Sequence, residues 1–266
     1  MKNVLVLLHD DEGQEARLQI ALDLTRALSG HLMCLDVIVP PAAMGDYFET
    51  SGGALMMEYT RERESENKTS IEGRLRHEDV PWSMIEKIGA PGTELRNAAD
   101  LADVIVVSIP GDEPEGEFQR IAGEVAVKSD RPVIAVPSVC RGINLAGNVL
   151  VGWNGSHEAS EALRQAVPLL QIAASVTLLD VNHPTRDFSV DEAASYLSRH
   201  GISAEIMTRE SDERPVSDVI LNEAHAIGAS YVVIGAYGMP RLVEAIFGGV
   251  TDGMLRKSDL PVLLAR

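Results

Sequence analysis

The feature that most constrains the fold of this chain is an internal repeat. Residues 3–6, Asn-Val-Leu-Val, recur at 148–151, close to the middle of the 266-residue sequence. Further similar segments follow in the same order in both halves: 34–37 with 178–181, 103–107 with 230–234, and 128–133 with 257–262. Matches that keep one order indicate two copies of one structural unit.

Each copy alternates short apolar runs with stretches of helical periodicity. Nearly unbroken apolar runs are typical of strands covered on both faces, and their alternation with helices favours a parallel sheet. We therefore predict an α/β fold of two tandem, doubly wound, open parallel five-stranded sheets with helices on both faces. In the second copy we expect strands near 148–153, 175–181, 203–208, 231–235 and 261–265, and helices near 157–171, 190–200, 214–228 and 249–257.

The first copy differs from the second by a polar insert between about 40 and 80, in which we expect a charged helix near 57–76. Between the copies, the stretch 137–147 contains Pro and Gly and has no periodicity, which is typical of a linker. The predicted domains are residues 1–137 and 148–266, joined by residues 138–147.

The last strands of the two copies, 133–136 and 262–265, are short and apolar and lie at predicted sheet edges. An exposed apolar edge is a template for pairing with another strand, so we expect these two strands to pair with each other. The tandem chain would then be an intramolecular pseudo-dimer, either alone or within a homodimer.

The charge of the chain excludes broad classes of partner. Lys and Arg total 23 against 40 Asp and Glu, a net charge of −17 that repels nucleic-acid phosphates and anionic lipid. No apolar stretch approaches the ~18 residues of a membrane helix, and the apolar run at 4–8 is too short for a signal peptide. Only Cys34 and Cys140 are present, without metal-site spacing. We expect no nucleic-acid partner, no membrane partner and a cytoplasmic location.

The segment from Gly235 to Thr251 is the strongest candidate for a binding site. It joins a predicted buried strand to the last helix, and ligands of open α/β sheets bind beyond the carboxyl ends of strands, where helix N-termini attract anions. The glycines at 235, 238, 248 and 249 permit left-handed turns and let the backbone approach a phosphate. The hydroxyl of Thr251 adds a donor. A structural alternative, in which these glycines only close loops, stays open.

The spacing of Gly235, Gly238 and Gly248 resembles the nucleotide-phosphate motif of the universal stress protein family. ATP-binding members of that family carry Ser or Thr after the last glycine, whereas this sequence has Gly249 there and keeps the next hydroxyl as Thr251. The resemblance implies a Rossmann-like (HUP-type) fold that binds ATP, with or without Mg²⁺. The missing hydroxyl affects the expected phosphate affinity rather than the mode of binding.

The resemblance extends to the start of the second copy. Residues 152–154 look like the family's adenosine-contacting turn, with Asn154 where Asp is usual; an amide still bonds adenine or ribose edges but brings no charge. Val181 matches the family's apolar adenine contact. The resemblance thus implies ten nucleotide-binding residues: Gly152, Trp153, Asn154, Val181, Gly235, Gly238, Gly248, Gly249, Val250 and Thr251.

The equivalent stretch of the first copy, residues 108–122, keeps only Gly111 of this motif. The start of the following helix lacks both glycines and the hydroxyl, and four acidic residues in the loop would repel a triphosphate. We therefore expect a degenerate first domain and one nucleotide per chain. The acidic turn at 9–12 is better explained by helix capping than by a Mg²⁺ site.

The family resemblance implies a stress-response protein that binds an adenine nucleotide, with protein partners unknown. Two alternatives remain open: a ligand-free interaction scaffold of the same family, and a slow ATP-hydrolysing or adenylate-handling enzyme. The sequence contains no G-x-S-x-G elbow and no P-loop, and no residue beside the glycine loop qualifies as a base or nucleophile. We therefore expect no catalytic and no metal-binding residues, and at most a weak ATPase.

Overall fold

The structure is a computed structural model that describes residues 1–39, 52–109, 121, 125, 129–182, 188–236 and 249–266, with backbone alone over 52–61. The first half contains β1 (Asn3–Leu8), α1 (Gln14–Ala27), β2 (His31–Ile38), α2 (Gly52–Leu75), β3 (Trp82–Ile88), α3 (Pro91–Ala98), a 3₁₀ turn (Ala99–Leu101), β4 (Val104–Ser108) and β5 (Val133–Val136). The second half contains β6 (Asn148–Trp153), α4 (His157–Leu170), β7 (Ser175–Val181), α5 (Val190–Arg199), β8 (Ala204–Arg209), α6 (Val216–Ala226), β9 (Ala229–Gly235), α7 (Val250–Lys257) and β10 (Val262–Ala265).

The described strands form one ten-stranded sheet in the order β3-β2-β1-β4-β5-β10-β9-β6-β7-β8. Neighbouring strands within each half are parallel, whereas β5 and β10 are antiparallel, with Ala135 opposite Val262 and Val133 opposite Leu264. The predicted pairing of the last strands is confirmed. The two predicted five-stranded sheets are therefore the halves of a single sheet.

Both faces of the sheet are covered by helices, as the unbroken apolar strands predict. Along β1, Val4 and Val6 join an apolar cluster with α1, α2, α4 and α5, while Leu5 and Leu7 join a second cluster with α3, α6 and α7. Alternate residues of a strand point to opposite faces, so a strand covered by helices on both faces is apolar at most positions. This confirms the α/β fold with helices on both faces.

The element that departs most from its predicted bounds is α2, which begins at Gly52 rather than near 57. Its described side chains are mostly polar, and Ile71 and Leu75 are the apolar ones that it buries against the fold. Polar contacts add to this packing: Asn67 and Gln14 exchange two amide hydrogen bonds of 3.0 and 2.7 Å. A polar helix of this kind lacks the apolar stripe that reveals helix ends in a sequence.

The predicted linker, residues 137–147, contains no helix or strand. It lies against α1, where the backbone N–H of Ile143 donates to Asp23 at 3.1 Å. Across the ranges that the structure covers, no helix combines the length and apolarity needed to cross a membrane.

Candidate functional site

The strand order of each half reverses at one point, between β6 and β9 in the second half and between β1 and β4 in the first. Ligands of open α/β sheets bind at such points, beyond the carboxyl ends of the strands. We call these two places the second-half crevice, at the ends of β6 and β9 beside the starts of α4 and α7, and the first-half crevice, at the ends of β1 and β4 beside the start of α1.

One wall of the second-half crevice is the turn between β6 and α4. Gly155 adopts φ +70°, a left-handed conformation that favours glycine. The side-chain oxygen of Asn154 accepts a 3.1 Å hydrogen bond from the N–H of Ser156, and the hydroxyl oxygen of Ser156 accepts one of 3.2 Å from Ala159, capping α4. Because the amide oxygen of Asn154 is held by the backbone, its NH₂ group faces away from that bond. The exposed side chain therefore offers a donor, where the carboxylate usual in the family offers an acceptor.

Gly235, at the end of β9, is required by packing. A Cβ at this position would lie 2.6 Å from the backbone nitrogen of Ala159 and 2.6 Å from the carbonyl carbon of Glu158. The glycine thus lets the first turn of α4 lie directly on the strand end. Its φ is not positive, so the left-handed turn that the sequence suggested does not occur here.

The second described glycine of the motif, Gly249, precedes α7 with φ −53° and ψ 153°, an extended conformation open to any residue. The left-handed turn suggested for this position is therefore also not observed. Gly238 and Gly248 lie outside the described residues. Among the described glycines of the motif, Gly235 therefore provides a close approach of chain segments rather than a left-handed turn.

The start of α7 forms the other wall. The helix begins at Val250, and its N-cap residue, Gly249, has no side chain that could accept a hydrogen bond from the first turn. The Thr251 side chain in this turn is buried. A Cβ at Gly253 would lie 2.7 Å from that of Ser217, which shows how closely α7 packs on α6. The sequence analysis does not predict the packing role of Gly253 or the left-handed turn at Gly155, although an isolated glycine in a helix, such as Gly253, is itself a signal of close approach.

The remaining predicted residues line the ends of β6 and β7. Gly152 packs against Ile234, whose Cγ2 atom would be 3.0 Å from an added Cβ. Trp153 is 6% exposed, and its indole N–H donates to the carbonyl of Phe188 at 3.3 Å. Val181 ends β7 and is 8% exposed. The structure therefore gathers residues 152–154, 181, 235 and 249–251 at the carboxyl ends of the second-half strands and their adjoining helix starts.

The first-half crevice is filled by the side chain of Arg17, which is 2% exposed. Its guanidinium donates to the carbonyls of Leu7 at 2.7 Å and His9 at 3.1 Å, to the Asp11 carboxylate at 3.1 Å, and to the Ser108 hydroxyl. These groups belong to the ends of β1 and β4 and the turn between β1 and α1. The burial of Arg17 lowers the pKa of its guanidinium, and Asp11 opposes that shift.

The two crevices differ at one helix position. Arg17 lies four residues after Gly13, the N-cap of α1, and Ser160 lies four residues after Ser156, the N-cap of α4. The hydroxyl of Ser160 donates back to the carbonyl of Ser156 at 3.0 Å, within its own helix. A cation therefore spans the first-half crevice, whereas the residue four positions after the N-cap of α4 is a hydroxyl that is bonded within its own helix.

Titratable side chains from β2, α2 and the turn after β1 lie near one another beside the first-half crevice. Burial raises the pKa of Asp36, and Glu86 adds to the shift. Burial likewise raises the pKa of Glu64, with contributions from Asp36 and Asp10. The pKa of His9, whose Nδ1 is 3.6 Å from Glu64, is lowered by burial. Within the described ranges no three His, Cys, Asp or Glu side chains are arranged to hold a metal ion.

Fold and crevices together define a tandem Rossmann-like α/β protein in which the crevices of the two halves differ. Residues 146–266 match the model of the universal stress protein family. The second half of the chain is thus a universal stress protein domain, and the whole chain has the fold of longer structures of that class, as the following similarities show.

A universal stress protein structure from Archaeoglobus fulgidus DSM 4304 is 18% identical, covers 99% of this chain and 96% of its own, and has a TM-score of 0.75. A functionally unknown protein from Pseudomonas aeruginosa PAO1 is 17% identical over 99% of this chain and 92% of its own, with a TM-score of 0.61. A structure described as a universal stress protein in complex with cAMP is 16% identical over 51% of this chain and 96% of its own, with a TM-score of 0.34. No curated protein matches the chain.

Proposed function

We propose that this protein binds one adenine nucleotide, ATP with or without Mg²⁺, in the second-half crevice. The observation that carries the proposal is the asymmetry of the two crevices. The guanidinium of Arg17 spans the ends of β1 and β4, whereas Ser160, at the same distance from the N-cap of α4, is hydrogen-bonded within its own helix. The proposed stress-response role and cytoplasmic location come from the family to which the second half belongs.

The walls of the second-half crevice supply groups suited to such a ligand. The first turn of α7, at residues 249–251, offers the positive end of the helix dipole, which favours phosphate. Asn154 offers an amide donor to acceptor atoms of the base or ribose. Val181 offers an apolar contact at the end of β7.

Binding is favoured over catalysis because of the kind of side chains involved. The ten proposed contact residues are glycine, tryptophan, asparagine, valine and threonine, and none of these titrates near neutral pH. General acid–base catalysis needs a group that exchanges protons in that range. We therefore propose a nucleotide-binding protein with at most weak ATPase activity.

The test is a charge introduced into the proposed phosphate site. In Gly248→Asp the new carboxylate would face a phosphate, and two unit charges ~4 Å apart repel by ~4 kcal/mol at an effective dielectric constant of 20. At ~1.4 kcal/mol per tenfold change, calorimetry should show a nearly thousandfold loss of ATP affinity. The control is Gln119→Asp, the aligned position of the first half, which should leave the affinity unchanged.

The outcomes also separate the alternatives. If the folded Gly248→Asp variant binds ATP as well as the parent, the phosphate site lies elsewhere. If the parent binds no nucleotide at millimolar concentration, the chain is a ligand-free scaffold and the proposed function is wrong. A circular dichroism spectrum and a melting curve for each variant establish that it is folded.

A further inference from the structure

The ten-stranded sheet ends on each side in an outer strand, β3 in the first half and β8 in the second. Within the described part of the chain, β8 pairs with β7 alone, in a parallel register that runs without interruption from Ala204 to Arg209. Outer strands are commonly protected from further pairing by proline, by lysine or by a bulge, and β8 contains none of these. Its Ile206 is 39% exposed. The outer side of β8 is therefore open to another strand.

One hydrogen bond shows which backbone groups of β8 face this outer side. The N–H of Asn182, just after β7, donates to the carbonyl of Arg209 at 2.8 Å, so this carbonyl faces β7. Successive residues of a strand direct their N–H and C=O groups to opposite sides of the strand. The backbone groups of Met207 therefore face β7 as well. Those of Ile206 and Thr208 face outward and have no strand partner among the described residues.

The charged side chains of β8 are arranged so that the strand is complementary to itself. Glu205 and Arg209 are both exposed, and they lie on the same face of the sheet as Met207 midway between them. In an antiparallel pair of two β8 strands with Met207 opposite Met207, Glu205 of each copy lies opposite Arg209 of the other. The same register places Ile206 opposite Thr208. It thus joins outward backbone groups to outward backbone groups, as a hydrogen-bonded antiparallel pair requires.

We propose that the outer side of β8 is the interface for a second copy of this chain, whose own β8 pairs with it in antiparallel orientation and continues the sheet. Each Ile206–Thr208 pair exchanges two backbone hydrogen bonds, and each Glu205–Arg209 pair adds an attraction between opposite charges. The two-fold axis at Met207 uses the outer side of β8 in both copies, so the assembly ends at a dimer.

The bonds that Arg209 makes within its own chain are compatible with this pairing. Its Nε and Nη2 atoms donate to Glu223 at 2.7 and 3.1 Å, and its Nη1 atom donates to the Thr208 carbonyl at 2.9 Å. A guanidinium has further N–H groups, which remain for Glu205 of the second copy. A carbonyl oxygen has two lone pairs, so Thr208 can also accept a bond from the second strand.

The other outer strand, β3, lacks this self-complementarity. The N–H of Gly89 donates to the Ile38 carbonyl in β2 at 3.1 Å, so the backbone groups of Gly89 and of Lys87, two residues earlier, face β2. Those of Glu86 face outward. Residues directly opposite each other in an antiparallel pair both face the partner or both face away, so Glu86 and Lys87 cannot lie opposite each other. Charge complementarity therefore favours β8 as the interface.

The first experiment removes the outward N–H of Ile206. Sedimentation equilibrium of the full chain, from micromolar to millimolar concentration, should show a monomer–dimer equilibrium. Each copy has a net charge of −17, so the series is run at ~0.15 M salt, where the Debye length is ~8 Å. Ile206→Pro should be monomeric, because proline has no N–H to donate to the second strand. Outer strands accept proline where the N–H does not bond the neighbouring strand, so the fold should be kept.

The second experiment tests the register by exchanging charges. Arg209→Glu places Glu opposite Glu205 and should weaken dimerisation at least about 10-fold, since the changed pair occurs twice in the dimer. The double variant Glu205→Arg with Arg209→Glu restores opposite charges across the interface and should recover most of the parent affinity. The matched control is Lys87→Glu, the same change of charge on β3, which should leave dimerisation unchanged. Melting curves establish that each variant is folded.

The outcomes are decisive for the proposal. A parent chain that stays monomeric over the whole series overturns it. A folded Ile206→Pro variant that dimerises like the parent shows that a different surface is used. If that variant does not fold, the charge variants still decide, because a double variant no better than Arg209→Glu excludes the proposed register. Assemblies larger than a dimer would indicate pairing of β8 with β3 and also contradict the proposal.

Discussion

Arg17 shows how a single buried side chain can occupy the strand ends at which ligands of open α/β sheets bind. A buried guanidinium is tolerated only when its donors are satisfied, and here two carbonyls, a carboxylate and a hydroxyl receive them. These are groups at the strand ends where a ligand would otherwise lie. The guanidinium of Arg17 thus makes the hydrogen bonds that a bound ligand could otherwise make at these strand ends. For this reason we propose no nucleotide in the first half.

Replacing Arg17 tests this role. Arg17→Met keeps the length and apolar stem but removes the guanidinium donors to Asp11 and to the carbonyls of Leu7 and His9. Because Asp11 keeps 30% of its side-chain surface exposed, we expect a loss of ~2–3 kcal/mol in the free energy of unfolding, below the full value for a buried pair. Urea unfolding measures this change in the free energy of unfolding.

The control is Arg209→Met, which breaks an exposed ion pair with Glu223. This variant should lose clearly less free energy of unfolding than Arg17→Met. Equal losses in both variants would contradict the account.

Asp36 gives a prediction about pH. Its pKa in the folded chain is raised above the ordinary value of 3.8, first by burial and then by Glu86. The folded state therefore prefers the protonated acid, and the associated stability, complete below pH 3.8, is lost as the pH rises through the folded pKa. Asp36→Asn mimics the protonated form. Its melting temperature relative to the parent should increase from pH 4 to pH 7.

Glu192 is the control, because its pKa is shifted in the opposite direction to that of Asp36. Hydrogen bonds from Ser189 lower the pKa of Glu192 from the ordinary 4.5. That stability is present at neutral pH and lost as the pH falls. Glu192→Gln should therefore lose stability relative to the parent as the pH rises from 4 to 7. A constant difference across this range for Asp36→Asn would show that burial of Asp36 has no electrostatic cost.

At the scale of elements, the sequence predicts most strands and helices of the second half within two or three residues. Strand β6 was predicted at 148–153 and β7 at 175–181, and both have these bounds. The prediction works because a strand buried on both faces is apolar along most of its length. It fails at the start of α2, where polar side chains give the helix no apolar stripe.

Parts of the site could not be predicted for a similar reason. The sequence marks Gly235 as unusual, but a close approach to Ala159, 76 positions away, depends on the packing of α4 on β9. Arg17 lies in a helix where an exposed arginine is the ordinary expectation, and its burial depends on Ser108 in another strand. Local propensity contains no information about such long-range contacts.

At the scale of the whole molecule, β5 and β10 pair in antiparallel orientation. The two crevices therefore open at opposite ends of the strands of the sheet. The carboxyl ends of β1 and β4 point one way along the sheet, and those of β6 and β9 point the other way. One ligand cannot bridge the two crevices. The chain is a pseudo-dimer whose two halves have the same fold. On our proposal only the second half binds a nucleotide, and the first half binds none.

The number of nucleotides bound per chain tests this asymmetry most directly. Calorimetric titration of the full chain with ATP and Mg²⁺ should give one site per chain, and Arg17→Met should leave that stoichiometry unchanged provided the variant stays folded. Two equivalent sites in the parent would contradict the claim that Arg17 fills the first-half crevice. If millimolar ATP gives no heat of binding in this titration, the claim that the second half binds a nucleotide is contradicted.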